Sequence, residues 1–164
     1  MTLRFGILTL SDRSSRGERE DASGPALAAL IRAENWSVAK ELILPDDESI
    51  IRSTLIEWAD GSDVDIILTT GSTGFALRDV APEATRAVIQ REAPGLAEAM
   101  RAESLKKTPH AMLSRAMAGI RGKTLIINLP GSPKGAVENF QTIQRVLPHA
   151  VQLLHDDPNS EASH

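Results

Sequence analysis

The segment Val64–Pro82, VDIILTTGSTGFALRDVAP, brings together an apolar run, a small-residue turn and a carboxylate. Backbone N–H groups in a turn such as Gly71-Ser72-Thr73-Gly74 can converge on an anion, and the two hydroxyls add donors. Asp79 stands at the exit of that turn, just ahead of Pro82 and Glu83. These two open a helix, since proline suits the first helical position and an acid suits the positive end. A second acidic point, Pro45-Asp46-Asp47-Glu48, follows another apolar run. Capping a helix accounts for one of its aspartates. The other is left for a cation, and Asp46 with Asp79 suits Mg²⁺, which takes a few carboxylates and completes its shell with substrate oxygens. Ser11, and the Pro/Gly turn Pro130-Gly131-Ser132-Pro133-Lys134-Gly135, add hydroxyls and a lysine, with Arg78 and Arg115 as further cations. Hydroxyls, amides and lysine together suit phosphates. GSTG is neither a Walker A loop nor GxGxxG. Spacing alone therefore leaves open whether these turns hold a nucleotide or only punctuate a sheet. His110 and His149 stand alone and read as surface or packing residues.

The elements that must position these groups alternate along the chain. Leu3–Leu10, Val38–Leu44, Val64–Thr69 and Thr124–Leu129 read as strands, being short apolar runs closed by turn residues. Between the first two lies a long polar loop, Ser11–Pro25, and then a helix with Leu27, Leu30 and Ile31 on one face. Ile51, Leu55, Trp58 and Ala59 mark the next helix. Two more follow, from Pro82 to about Arg91 and from Gly95 to about Leu105, the second opened by Pro94. Met112–Ile120 has no clear type. After the turn at 130–135 comes a helix with Val137, Phe140, Leu147, Val151 and Leu154 in register, which Pro148 should kink or split. Alternating strands and helices predict an α/β fold with a parallel sheet covered on both faces. Ligands of such sheets bind beyond the carboxyl ends of the strands, where Ser11, Asp46, Gly71–Asp79 and Pro130–Lys134 must gather. Residues 1–155 make one domain, and 156–164, short and polar, are expected to be a disordered tail.

Composition narrows the partners. The chain of 164 residues has a net charge of −4 and few aromatic residues, which argues against broad nucleic-acid binding. It offers no apolar run long enough for a bilayer and no signal-peptide pattern. The absence of cysteine rules out disulfides and thiolate metal sites, and a cytoplasmic home is expected.

The motifs SDR…G…D-x-SGP, PDDESI, TTGSTG…RDVAPEAT and NLPGSPK occur in that order over almost the whole chain. Together they resemble the MogA/MoaB family of molybdenum-cofactor biosynthesis proteins. The resemblance implies a three-layer α/β/α fold with a mostly parallel sheet, a homotrimer, and contacts with other molybdenum-cofactor biosynthesis proteins. It implies a nucleotidyltransferase, a molybdopterin adenylyltransferase that moves AMP from Mg-ATP to the molybdopterin phosphate and releases pyrophosphate. The alternative is a MoaB-like carrier that holds molybdopterin without transfer. On this resemblance Asp46 and Asp79 are the catalytic, magnesium-directed pair. Ser11, Gly71, Ser72, Thr73 and Gly74 cradle phosphate. Asn128, Pro130 and Gly131 match the family's N-x-P-G turn, with pterin-side contacts expected from Asn128, Ser132 and Lys134, and Ser104 and Ser114 match polar positions lining the site. Ser72 departs from the family's usual glycine. It is expected at negative φ, with its hydroxyl donating to phosphate or to the loop itself.

Overall fold

The computed structural model describes residues 1–163. In chain order the elements are β1 (Arg4–Leu10), α1 (Asp12–Ser15), α2 (Ser23–Ala33), β2 (Ser37–Leu44), α3 (Glu48–Asp60), β3 (Ile66–Thr70), α4 (Ala81–Val88), β4 (Arg91–Glu92), α5 (Pro94–Leu105), β5 (Ala118–Arg121), β6 (Thr124–Leu129), α6 (Pro133–Ile143) and α7 (Leu147–Leu154). Short 3₁₀ turns occupy Pro109–Leu113, Gln144–Val146 and Ser160–Ser163. One six-stranded sheet runs in the order β2-β1-β3-β6-β5-β4. Its first four strands are parallel, and β5 and β4 extend it antiparallel.

Side-chain alternation along the strands divides the core into two layers. Leu3, Phe5 and Ile7, Ile66 and Leu68, and Leu125, Ile127 and Leu129 face α2, α5, α6 and α7. Leu8 and Leu10, Ile67 and Ile126 face α3 and α4. Burial on both faces explains why these strands read as continuous apolar runs. Gly6 lies against the Trp58 ring, where a Cβ would come within 2.7 Å of the indole, so the residue beneath α3 has no room for a side chain.

The helix starts follow the sequence. Pro82, Pro94 and Pro133 each sit in the first turn of a helix, and Asp47 caps α3 by accepting the Ile50 N–H at 3.1 Å. Pro148 does split the last helix: a 3₁₀ turn at Gln144–Val146 separates α6 from α7. Two boundaries differ. The helix from Pro82 ends at Val88 rather than Arg91, because Arg91 and Glu92 pair with Ile120 and Gly119 as an edge strand. The untyped segment 112–120 is the end of a 3₁₀ turn running into β5, whose four residues are too few to show a period. In the tail, the Ser160 N–H donates to the Asp157 carbonyl, Ser160 is buried, and Ser160–Ser163 form a 3₁₀ turn; His164 lies outside the described residues. Among the described residues no helix is long and apolar enough to cross a membrane.

Candidate active site

The loops leaving β1, β2, β3 and β6 meet at the carboxyl edge of the sheet, where a polar cavity of about 320 Å³ opens. Ser11, Asp46, Gly71, Ser72, Asp79, Gly131 and Ser132 all line it. Four separate stretches of the sequence thus arrive at one place, as the strand–loop order requires. Gly71 turns the chain out of β3 at φ +100°, with its N–H on the Leu129 carbonyl. A Cβ here would lie 2.4 Å from the Leu10 carbonyl oxygen, so only glycine lets the β1 and β3 exits approach this closely.

Asp47 caps α3, which leaves Asp46 free to turn inward. The Asp12 N–H donates to Asp46 Oδ2 and the Asp46 N–H donates to Asp12 Oδ1, each at 3.0 Å. Arg78 closes over Asp12 with two guanidinium hydrogen bonds. This ion pair, followed by the Asp46 amide bond, holds the Asp12 carboxyl below its usual range. Asp46 Oδ1 is buried and has no hydrogen-bond partner. An orphaned carboxylate oxygen at the wall of a polar cavity, with Asp79 at the same wall, fits the ligands of a divalent cation. Among the described residues no three His, Asp or Glu gather into a cage, so such an ion would complete its shell from phosphate oxygens and water.

The loop carrying Asp79 is built on Ser72, and here the expected negative φ fails. Ser72 adopts φ +61°, the left-handed region. Of the two partners expected for its side chain, it takes the loop itself. The hydroxyl accepts the Val80 N–H at 2.9 Å and donates to the Arg78 carbonyl at 3.2 Å, while the Ser72 carbonyl accepts the Ala81 N–H at 3.0 Å. The compensation absent from the sequence lies eight residues downstream. Asp79 Oδ2 accepts the Ala76 N–H at 3.0 Å, which turns the carboxylate back over the loop. Arg115 fastens the other side, donating to the carbonyls of Gly74 and Asp79 and pairing with Glu83.

Thr73, Gly74, Ser104, Ser114 and Pro130 line a second cavity of about 330 Å³, and Ser132 borders both. Arg101, Lys107 and His110 stand around this second space. Ser132 also caps α6 through the Gly135 N–H, so its position is fixed. Two expected site residues are placed elsewhere. Asn128 is fully buried on the α4 face of β6. Its amide donates to Thr69 and Thr85 hydroxyls, both at 2.9 Å, and accepts the Met117 N–H at 3.2 Å, which uses it as a clamp between strands and helix. Lys134 is exposed in the first turn of α6 and lines neither cavity. The structure adds Asp12, Arg19 and Asp21 to the site. Asp21 lines the first cavity, accepting from the Thr9 hydroxyl at 2.8 Å and the Gly24 N–H at 3.1 Å. The length of the polar loop Ser11–Pro25 was the signal for these three.

Residues 6–149 match the family described as a probable molybdopterin binding domain. The chain belongs to this family. Among its relatives, the molybdopterin adenylyltransferase of Helicobacter pylori is 44% identical over 93% of this chain and 88% of its own length. That of Escherichia coli is 39% identical over 93% and 86%. The molybdenum cofactor synthesis protein cinnamon of Drosophila melanogaster is 48% identical, and the chain spans about a quarter of it, 26% of its length. The crystal structure of the molybdopterin biosynthesis enzyme MoaB from Thermus thermophilus superimposes with a TM-score of 0.90 at 50% identity, covering 96% of this chain and 99% of that one. A MogA structure superimposes with a TM-score of 0.87 at 35% identity, covering 92% and 99%. The three-layer fold anticipated from the motifs is the fold of this family.

Proposed function

We propose that the chain is a molybdopterin adenylyltransferase, a nucleotidyltransferase acting in molybdenum cofactor biosynthesis. Its substrates would be ATP, taken as the magnesium complex, and molybdopterin. The observation that carries this reading is the two-chambered cleft at the sheet edge. One chamber is polar and holds Asp46 and Asp79 beside the Gly71–Gly74 loop; the other is lined by Ser104, Ser114 and nearby cations; Ser132 joins them. The adenylyltransferase relatives, similar over nearly the whole chain, support it.

In this reading the first chamber receives the triphosphate and the second the pterin. A molybdopterin phosphate oxygen forms a bond to the α-phosphorus of ATP, the bond from that phosphorus to the bridging oxygen breaks, and pyrophosphate leaves. The attacking oxygen is already ionised, so no strong base is needed, and the chain contributes positioning and charge compensation. Asp46 and Asp79 would hold Mg²⁺, which when bound neutralises phosphate charge. Ser11 and Gly71 would cradle oxygens of the triphosphate, and Thr73, which lines the second chamber, would meet the phosphate of molybdopterin. A homotrimer is part of the same proposal. An apolar groove of about 660 Å³, lined by Leu96, Ile120, Val146 and Leu153 among others, supports burial against another copy. Sedimentation at micromolar concentration tests it, and a monomer alone would refute it.

The deciding experiment follows pyrophosphate release from ATP with molybdopterin present and absent. Molybdopterin-dependent release is expected. Tight molybdopterin binding without release would replace this reading with that of a carrier.

A further inference from the structure

Four carboxylates, Glu20, Asp21, Asp46 and Asp79, line the first cavity, and a triphosphate must enter against them. One basic side chain lines the same cavity, that of Arg19. Of the other cations near this edge, Arg13 and Lys134 do not line the cavity, and two more are already engaged. Arg78 is closed on Asp12, and Arg115 is spent on Glu83 and the loop carbonyls. Arg19 makes no hydrogen bond or ion pair among the described residues.

We infer that Arg19 reads the polyphosphate end of the nucleotide and makes the site selective for a nucleoside triphosphate over a monophosphate. The inference rests on the adenylyl-transfer reading above. The backbone around Arg19 is anchored on both sides. The Glu18 N–H donates to the Arg13 carbonyl at 2.9 Å, and Asp21 is pinned by Thr9 and Gly24. A fixed main chain with an unengaged guanidinium presents a planar, permanently charged fork, which suits two phosphate oxygens at once. A nucleoside monophosphate carries its charge on the α-phosphate alone, whereas a triphosphate extends it over the β- and γ-phosphates, the part that Arg19 is placed to meet. Magnesium offsets part of that charge and Arg19 the rest. The pyrophosphate that leaves would be held by the same side chain.

The test is calorimetric binding to the full chain, in magnesium buffer, of ATP, inorganic pyrophosphate and AMP, with wild type and Arg19→Gln. The variant is expected to weaken ATP and pyrophosphate about ten-fold, the scale of one charge-assisted hydrogen-bonding group, and to change AMP by less than about two-fold. Arg19→Lys should recover only part of the loss, since an ammonium lacks the fork. Thermal melting should not distinguish the three proteins, because Arg19 is exposed and makes no hydrogen bond or ion pair among the described residues. Wild-type ATP affinity in Arg19→Gln, or an equal loss for AMP, would overturn the inference while leaving adenylyl transfer standing. Failure of the wild type to bind ATP would overturn both.

Discussion

Asp12 and Asp46 hold each other by exchanging main-chain hydrogen bonds, each carboxylate accepting the other's N–H at 3.0 Å. The exchange ties the exit of β1 to the exit of its neighbour β2. It also fixes one oxygen of Asp46 and leaves the other without a partner inside the wall of the cavity. Arg78 then brings the third loop onto the pair. Three loops that are far apart in sequence therefore share one electrostatic joint.

That joint makes a pH prediction. The Asp12 carboxyl is held low by Arg78 first and by the Asp46 amide next. A group whose folded value is depressed stabilises the fold above its unfolded value, near pH 4 for an aspartate, and loses that contribution as pH falls through the folded value. Arg78→Ala should therefore lower the melting temperature at neutral pH. The difference from wild type should narrow as pH drops below about 4. Added salt should narrow it too, since the guanidinium is exposed and screened. A gap that stayed constant across this range would mean that Arg78 acts through packing rather than charge.

Asp79→Asn separates charge from architecture. The amide oxygen of asparagine can still accept the Ala76 N–H, so the loop should keep its shape. The lost charge should lower molybdopterin-dependent pyrophosphate release by about a hundred-fold or more, the scale of removing one preorganised electrostatic group. Melting curves alongside the release assay give the answer. A well-folded variant with full turnover would remove Asp79 from the chemistry.

Much of this was legible before the structure. The three inner parallel strands β1, β3 and β6 were plain because their residues are buried on both faces and so form nearly unbroken apolar runs, while β2 lies at the sheet edge and is mostly exposed. That Asp46 and Asp79 would arrive at the carboxyl edge was legible because each follows a parallel strand, and because capping of α3 needed only one of the two adjacent aspartates. Asn128 misled because it belongs to a motif. Its position is near the cleft, but its side chain points to the other face of β6, and only strand register reveals that. Arg19 had no local pattern, since its role depends on what the other cations are doing. The φ of Ser72 was hidden because the groups that relieve it lie at residues 78–80.

The corrected place of Asn128 predicts a stability defect without a site defect. Replacement by alanine leaves the Met117 N–H, Thr69 and Thr85 short of partners in a fully buried spot. The expected cost is about 3 kcal/mol, from lost hydrogen bonds and stranded polar groups. Denaturant melts should show it. The folded fraction should keep the wild-type KM for both substrates, and a selective rise in the KM for molybdopterin would return Asn128 to the site.

Ser72 sets two opposing effects against each other, and the variants rank them. At φ +61° a serine carries about 1 kcal/mol of backbone strain that glycine would relieve. Its hydroxyl makes two hydrogen bonds to the Asp79 loop, at 2.9 and 3.2 Å. Each of these contributes about 1 kcal/mol in net terms. Glycine also adds freedom to the unfolded chain, costing roughly 0.5 kcal/mol more. Ser72→Gly should therefore be destabilised by about 1.5 kcal/mol. That corresponds to about 3–6 °C in melting temperature for a chain of this size. Ser72→Ala loses the same hydrogen bonds and keeps the strain, so it should fall further, by about 2 kcal/mol. The order wild type, glycine, alanine is the expected result of a thermal melt. A glycine variant that melts clearly above wild type would show that strain outweighs the latch. An alanine variant equal to wild type would show that the hydroxyl holds nothing in place.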